Sequence, residues 1–254
     1  MPTERVEFQG PHGTLSAKLD LPDGRPRAYG VFAHCFTCSK DVLAANRISQ
    51  GLAAQGVGML RFDFAGLGAS SGDFGDTNFS SNVEDLVAAA AFLREQFAAP
   101  HLLVGHSMGG TAVLAAAHRI PESKAIVTIA APSDPHYVVK SLLSGHLDTI
   151  AERGEARVRL AGRDFPIRQH FVEDATQHQL ADLIANLERA LLVMHAPGDD
   201  TVDIANALQI FGMAAYPKSF VSLDGVDHLV TDREDAAQVA AMIAAWSRRY
   251  IDTE

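Results

Sequence analysis

Six short apolar runs recur along the chain, at residues 28–33, 57–62, 102–105, 125–130, 191–194 and 220–223, and they are nearly continuous rather than alternating. Such runs fit strands covered on both faces, as in a parallel sheet. Ahead of them, residues 6–9 and 15–21 flank Gly10-Pro11-His12-Gly13, which predicts an antiparallel hairpin at one edge. Between the runs, Val83, Leu86, Val87, Ala90, Leu93 and Phe97 share one helical face, and Ser81 with Glu84 predicts a capping box at its start. Val239, Met242, Ile243, Trp246 and Tyr250 repeat that spacing, with Thr231 and Glu234 as a second box. Strands alternating with helices predict a doubly wound, mostly parallel α/β sheet.

Residues 133–189 break the alternation. Helical spacing there is followed by residues 158–167, which predict a hairpin turning at Ala161-Gly162. Ligands of open α/β sheets bind at the carboxyl ends of the strands, so this segment is read as a small cap insertion within a single domain of residues 1–254.

Composition narrows the class. The 254 residues are 47% hydrophobic and 20% charged, which excludes a disordered or collagen-like chain. Lysine and arginine number 21 against 31 aspartates and glutamates, a net charge of −10. Such a surface repels phosphate backbones and anionic lipids, so neither nucleic acid nor membrane is an expected partner. No stretch reaches the roughly 18 apolar residues of a membrane span. The first residues lack the basic-then-apolar order of a signal peptide, and two cysteines make no secreted disulfide framework. A cytoplasmic location is the expectation, and composition leaves the oligomeric state open.

The chemistry centres on Gly105-His106-Ser107-Met108-Gly109, which follows an apolar run and opens an alanine-rich helix. A G-x-S-x-G between strand and helix is a nucleophile elbow: small neighbours let strand and helix approach, and the serine hydroxyl projects above the sheet. A bare match can instead be a glycine-rich turn whose serine caps a helix. A serine nucleophile needs a general base, and the base an orienting carboxylate, in the order Ser, Asp or Glu, His. Of the 11 histidines, His228 lies in a loop between the last apolar run and the final helix and is the candidate base. Asp199 and Asp200 both follow the run at 191–194. Asp199, four residues beyond His195 and three before Val202, is chosen, with Asp200 as runner-up. Asp227 is adjacent to His228 and points away from it. His195 is read as a structural histidine, because with Asp199 alone it makes no metal site.

Acyl transfer also needs donors for the developing oxyanion. One is the backbone N–H of Met108, after the nucleophile. The other is assigned by position to the N–H of Phe36, in the loop after the run at 28–33. Cys35 and Cys38 flank Phe36 and form a C-x-x-C. It lacks the second pair of a zinc site, and its readings are a redox pair or two small loop residues. Closing a Cys35–Cys38 ring is expected to twist the Phe36 amide and slow the reaction.

With these segments in order, the chain resembles the α/β-hydrolase superfamily from end to end. Arg61-Phe-Asp-Phe-Ala-Gly-Leu-Gly-Ala-Ser-Ser-Gly72 is similar to that family's D-x-x-G-x-G-x-S-x-G loop. More narrowly, His34-Cys-Phe-Thr-Cys-Ser-Lys-Asp41, Thr77-Asn-Phe-Ser-Ser-Asn82 and Lys218-Ser-Phe-Val-Ser-Leu-Asp-Gly225 resemble esterase-type hydrolases found alone or fused to OsmC-like peroxide-reductase domains. Two positions depart from the broader pattern: Cys35 and Ala196 stand where the family usually has glycine. The resemblance implies a serine esterase acting on a small-molecule ester with small to medium acyl groups, without metal or cofactor. Thioester, lactone or peptide cleavage on the same triad stays open, as does a non-catalytic or redox-sensing module built on Cys35 and Cys38. No peroxide-reductase segment is expected within these 254 residues.

Overall fold

The computed structural model describes residues 1–160 and 162–252. Strands β1 (Thr3–Gly10) and β2 (Gly13–Asp20) form the expected edge hairpin. They lead into β3 (Ala28–Ala33), β4 (Val57–Phe62), β5 (Pro100–His106), β6 (Ala125–Ile129), β9 (Ala190–His195) and β10 (Lys218–Ser222) of one sheet. Its eight strands run in the order β1-β2-β4-β3-β5-β6-β9-β10, antiparallel at the β1/β2 and β2/β4 pairings and parallel elsewhere. The central strands β4, β6 and β9 are buried along their whole length, as their continuous apolar runs require.

Two helical layers cover the sheet. On one face, α1 (Leu43–Ala54) and α9 (Arg233–Ile251) pack Ile48, Leu52, Val239 and Ile243 against Phe32, Met59, Val104 and Val127. On the other, α2 (Phe79–Gln96), α3 (Met108–Ala116) and α8 (Ala205–Met213) pack Leu86, Leu93, Val113 and Ile210 against Val31, Leu60, Leu103 and Val193.

Both capping boxes shift from the expected residues. Helix α2 begins two residues before Ser81: extended Asn78 is the N-cap, its side chain accepts from the Ser81 N–H, and the Ser81 hydroxyl accepts from the Asn78 N–H. Serine at the third position closes the box as well as a glutamate does, so Glu84 is left free to pair with Arg119. At α9 the N-cap is Asp232, which accepts from Glu234 and Asp235, because Thr231 is held back by Asp227.

Residues 133–189 carry α4 (His136–Ser141), α5 (Leu147–Arg153), the antiparallel pair β7 (Glu155–Leu160) and β8 (Arg163–Arg168), α6 (Gln169–Gln177) and α7 (Ala181–Ala185). Ala161, expected in the hairpin turn, lies outside the described residues. This group packs on the segment that opens α2. Phe165 meets Phe74 edge-on at 5.0 Å, His170 Nε2 donates to the Gly75 carbonyl at 2.9 Å, and Asp174 accepts from the backbone and hydroxyl of Ser80. Its first residues are tied to the loop after β9, where the Tyr137 hydroxyl donates to the Thr201 carbonyl at 3.0 Å. No helix among the described residues is long and apolar enough to cross a membrane.

Candidate active site

Ser107 sits at the carboxyl end of β5, in a turn that only a tightly packed elbow sustains. Its φ of 53° and ψ of −126° lie outside the regions an L-residue prefers, and its N–H donates to the Ile129 carbonyl at 2.8 Å. The flanking glycines have a steric cause: a Cβ on Gly109 would overlap the carbonyl oxygens of Ala33 and His34, and one on Gly105 would overlap the Gly109 backbone.

The loops after β9 and β10 bring two more groups to this serine. Ser107 Oγ lies 3.1 Å from His228 Nε2, and His228 Nδ1 lies 2.8 Å from Asp199 Oδ2. The Asp199 side chain is fully buried, and its other oxygen accepts from the Thr201 and Val202 amides at 2.9 Å each. Burial alone would raise the Asp199 pKa, but the bond from His228 and these amides outweigh it and hold the carboxyl below its ordinary range. Asp200 is exposed and bonds Thr201, while Asp227 is turned to Thr231, so neither reaches the His228 ring. His195 is buried, and its Nε2 donates to the Val202 carbonyl at 2.7 Å, which shapes the loop that carries Asp199.

The turn after β3 lies beside Ser107. Among the described residues, neither the Phe36 nor the Met108 N–H has an acceptor within hydrogen-bond distance. Two donors converge on the Cys35 carbonyl: His34 Nδ1 at 2.8 Å and the Cys38 N–H at 3.2 Å. That carbonyl and the Phe36 N–H belong to one trans peptide group and point in opposite directions, so fixing the carbonyl also aims the amide. Burial lowers the His34 pKa, and its Nε2 accepts from the Phe64 N–H at 3.4 Å, which sets the neutral tautomer with hydrogen on Nδ1. Motif reading missed this positioning role of His34, although its place one residue before the donor turn was the signal.

Cys35 and Cys38 are joined by a disulfide, with Cα atoms 5.3 Å apart and Thr37 at φ 61° between them. The ring is closed in the same structure that holds the Ser107–His228–Asp199 chain together. Closure of the ring and an assembled Ser107–His228–Asp199 chain are therefore compatible.

Two cavities of unequal size are lined by chain neighbours of Ser107. Phe36, Phe64, Leu67, Phe74, Met108 and Gly109 enclose a cavity of only about 10 Å³. The Phe36 ring there is packed by Phe74 at 5.7 Å and by Phe171 of α6 at 5.3 Å. Thr37, Leu43, His106 and Leu229 line a second, open groove of about 390 Å³. Together these groups can deprotonate a serine hydroxyl, stabilise the resulting imidazolium, and donate two hydrogen bonds to a tetrahedral oxyanion.

Residues 24–153 match the family model described as serine aminopeptidase, S33. The esterase domain of a Rhodothermus marinus protein is 48% identical, with 98% of this chain and 99% of that one covered and a TM-score of 0.81. At 20% identity, where only the fold is shared, are Est1E from Butyrivibrio proteoclasticus with ferulic acid bound, covering 96% and 98% at a TM-score of 0.84, and the α/β hydrolase GrgF from a Penicillium species, covering both chains fully at 0.80. No curated protein matches the chain. The chain belongs to the serine aminopeptidase S33 family of α/β hydrolases.

Proposed function

We propose that the protein is a serine carboxylic-ester hydrolase that works through an acyl-enzyme. The observation that carries this reading is the continuous chain Ser107–His228–Asp199, at 3.1 and 2.8 Å, beside two uncommitted amides. His228 takes the Ser107 proton as Oγ attacks the ester carbonyl, and Asp199 holds the imidazole by its Nδ1–H. The N–H groups of Phe36 and Met108 receive the oxyanion. Protonated His228 then gives its proton to the leaving alcohol, and water deacylates the serine by the same route. Residues 133–189 act as the cap, with Phe171 and Phe165 bearing on the Phe36 side of the mouth.

Ester rather than peptide is favoured by the relative that is 48% identical, an esterase domain, and by charge. An N-terminal amine would need an uncommitted carboxylate, but Asp41, the acid in the groove wall, is already bonded to Lys18 and Arg61.

The test is labelling by a fluorophosphonate probe together with hydrolysis of short 4-nitrophenyl esters. Labelling should vanish in Ser107→Ala, and kcat should fall at least ~10³-fold in Ser107→Ala and His228→Ala with the fold intact. Asp199→Asn should fall comparably and Asp200→Asn should stay near wild type. An unlabelled wild type, or an active Ser107→Ala, overturns the reading.

A further inference from the structure

The groove lining contains a cation that nothing in the reaction uses. Arg163 opens β8 at the hairpin tip and lines the groove together with Leu43, Leu229 and Thr231. Its guanidinium lies 5.1 Å from the Phe165 ring centroid, and Phe165 is in turn packed on Phe74. The charge is therefore braced over an aromatic face rather than left on a free stem. Among the described residues no carboxylate pairs with Arg163, since Asp164 bridges to Arg159 and Asp41 is occupied by Lys18 at 2.6 Å and Arg61 at 2.8 Å. Leu43 and Leu229 remain 45% and 49% exposed, which makes the walls leading to this cation apolar.

Each candidate reacting group has a chain neighbour in the groove wall: His106 beside Ser107, Leu229 beside His228, and Thr37 beside Phe36. The small cavity, in contrast, is bounded by Phe36, Met108 and Gly109 and by no neighbour of His228. A leaving alcohol must lie where His228 can protonate it, and Leu229, the residue after His228, is in the groove wall. A cavity of about 10 Å³ has room for roughly one water-sized group, so the acyl end must be short. A groove of about 390 Å³ is within the range of small-molecule sites.

We propose that Arg163 is a specificity residue, and that the groove seats the alcohol half of a short-acyl ester whose apolar or aromatic body ends in a carboxylate or similar anion. This rests on the ester-hydrolase reading above. On a chain of net charge −10, one uncommitted cation is what lets such an anion approach.

The test compares 4-acetoxybenzoate with its neutral amide, 4-acetoxybenzamide, in wild type and Arg163→Gln. Leaving-group reactivity differs between the two acetates but cancels between the two proteins. The carboxylate-to-amide ratio of kcat/KM should fall about fivefold in Arg163→Gln, through KM, as expected for a partly exposed ion pair, and wild type should lose the same advantage in 0.5 M salt. An unchanged ratio, or equal loss on both substrates, overturns the role of Arg163. Arg163-dependent preference for monophenyl succinate, with its charge on the acyl side, overturns the assignment of the groove to the alcohol. Wild type that cleaves neither acetate nor phenyl acetate shows instead that the ester-hydrolase reading has failed.

Discussion

His106 Nε2 lies 2.7 Å from the carbonyl oxygen of His228, so the residue before the candidate nucleophile holds the backbone of the candidate base. The two are 122 positions apart and their rings lie 5.4 Å from each other. A carbonyl oxygen can only accept, so the His106 nitrogen facing it, Nε2, carries the hydrogen, and its buried Nδ1 has no partner among the described residues. Burial, and then the neighbouring His228, lower its pKa to about 4.

His106→Phe should therefore lower kcat about 10- to 100-fold while KM changes little, because the His228 ring loses its backbone anchor. His106→Gln keeps a donor and should recover part of the loss. The same residue has a pH signature. Between about 4 and 6.5 the unfolded chain binds a proton at His106 and the folded chain does not, so its contribution lowers stability as pH falls through that window. Thermal melts should show a shallower loss of Tm between pH 6.5 and 4 in His106→Gln than in wild type. Parallel curves would remove this assignment.

His34 aims the Phe36 amide through the Cys35 carbonyl, at 2.8 Å. His34→Ala should reduce kcat roughly 10-fold or more, toward the cost of losing an oxyanion donor, with KM nearly constant. His34→Asn, whose amide can reach the Nδ1 position, should restore part of the rate. If both variants raise KM alone, His34 acts on substrate binding instead.

The Cys35–Cys38 disulfide holds Thr37 at φ 61°, a conformation that a β-branched residue adopts at a cost. Thiol titration should find no free thiol in the native protein and two after reduction with dithiothreitol. Reduction should lower kcat several-fold, about 3- to 10-fold, as Thr37 relaxes and the Phe36 amide loses its aim. Thr37→Gly, free to keep a positive φ, should be less sensitive. Equal sensitivity in both proteins would show that the turn does not depend on the bond.

Asp85, buried in α2, accepts from the Ala65 N–H at 2.9 Å through one oxygen, while its other oxygen has no partner. Burial pushes its pKa up to about 7, against the smaller lowering effect of the Ala65 bond. The folded chain thus retains a proton on Asp85 between about 4 and 7 that the unfolded chain releases, and stability contributed by this group is lost as pH rises through that range. Asp85→Asn keeps an acceptor without the charge and should raise Tm more at pH 8 than at pH 5. A uniform shift at both pH values would show that ionisation is not the cause.

Much of this arrangement is a local property of the chain. The continuous runs at 57–62 and 191–194 are legible as buried parallel strands because a strand covered on both faces needs apolar residues at every position. The elbow is legible because Gly105 and Gly109 stand at fixed places in a five-residue motif, although only the clash at Gly105, with the Gly109 backbone, arises within it, and the one at Gly109 is with the Ala33 and His34 carbonyl oxygens. Sequence order and loop position were also enough to name Ser107, His228 and the Phe36 turn as candidates. The helix starts were legible only to within a few residues, since Asn78 and Ser81 cap as well as the pairing of Ser81 with Glu84, and only the backbone path decides between them.

Tertiary structure decided what depends on direction between distant segments. Asp199, Asp200 and Asp227 are equivalent as carboxylates. Which one meets His228 depends on how the loop after β9 is folded by the His195–Val202 bond and by the amides bonded to Asp199. The bonds from His106 to His228 and from His34 to Cys35 run to backbone carbonyls, which every residue possesses, so no side-chain pattern announces them. Arg163 and the groove are likewise invisible in the chain. Its place against Leu43 and Leu229 exists only because β8 packs Phe165 onto Phe74, across a sequence distance that periodicity does not span.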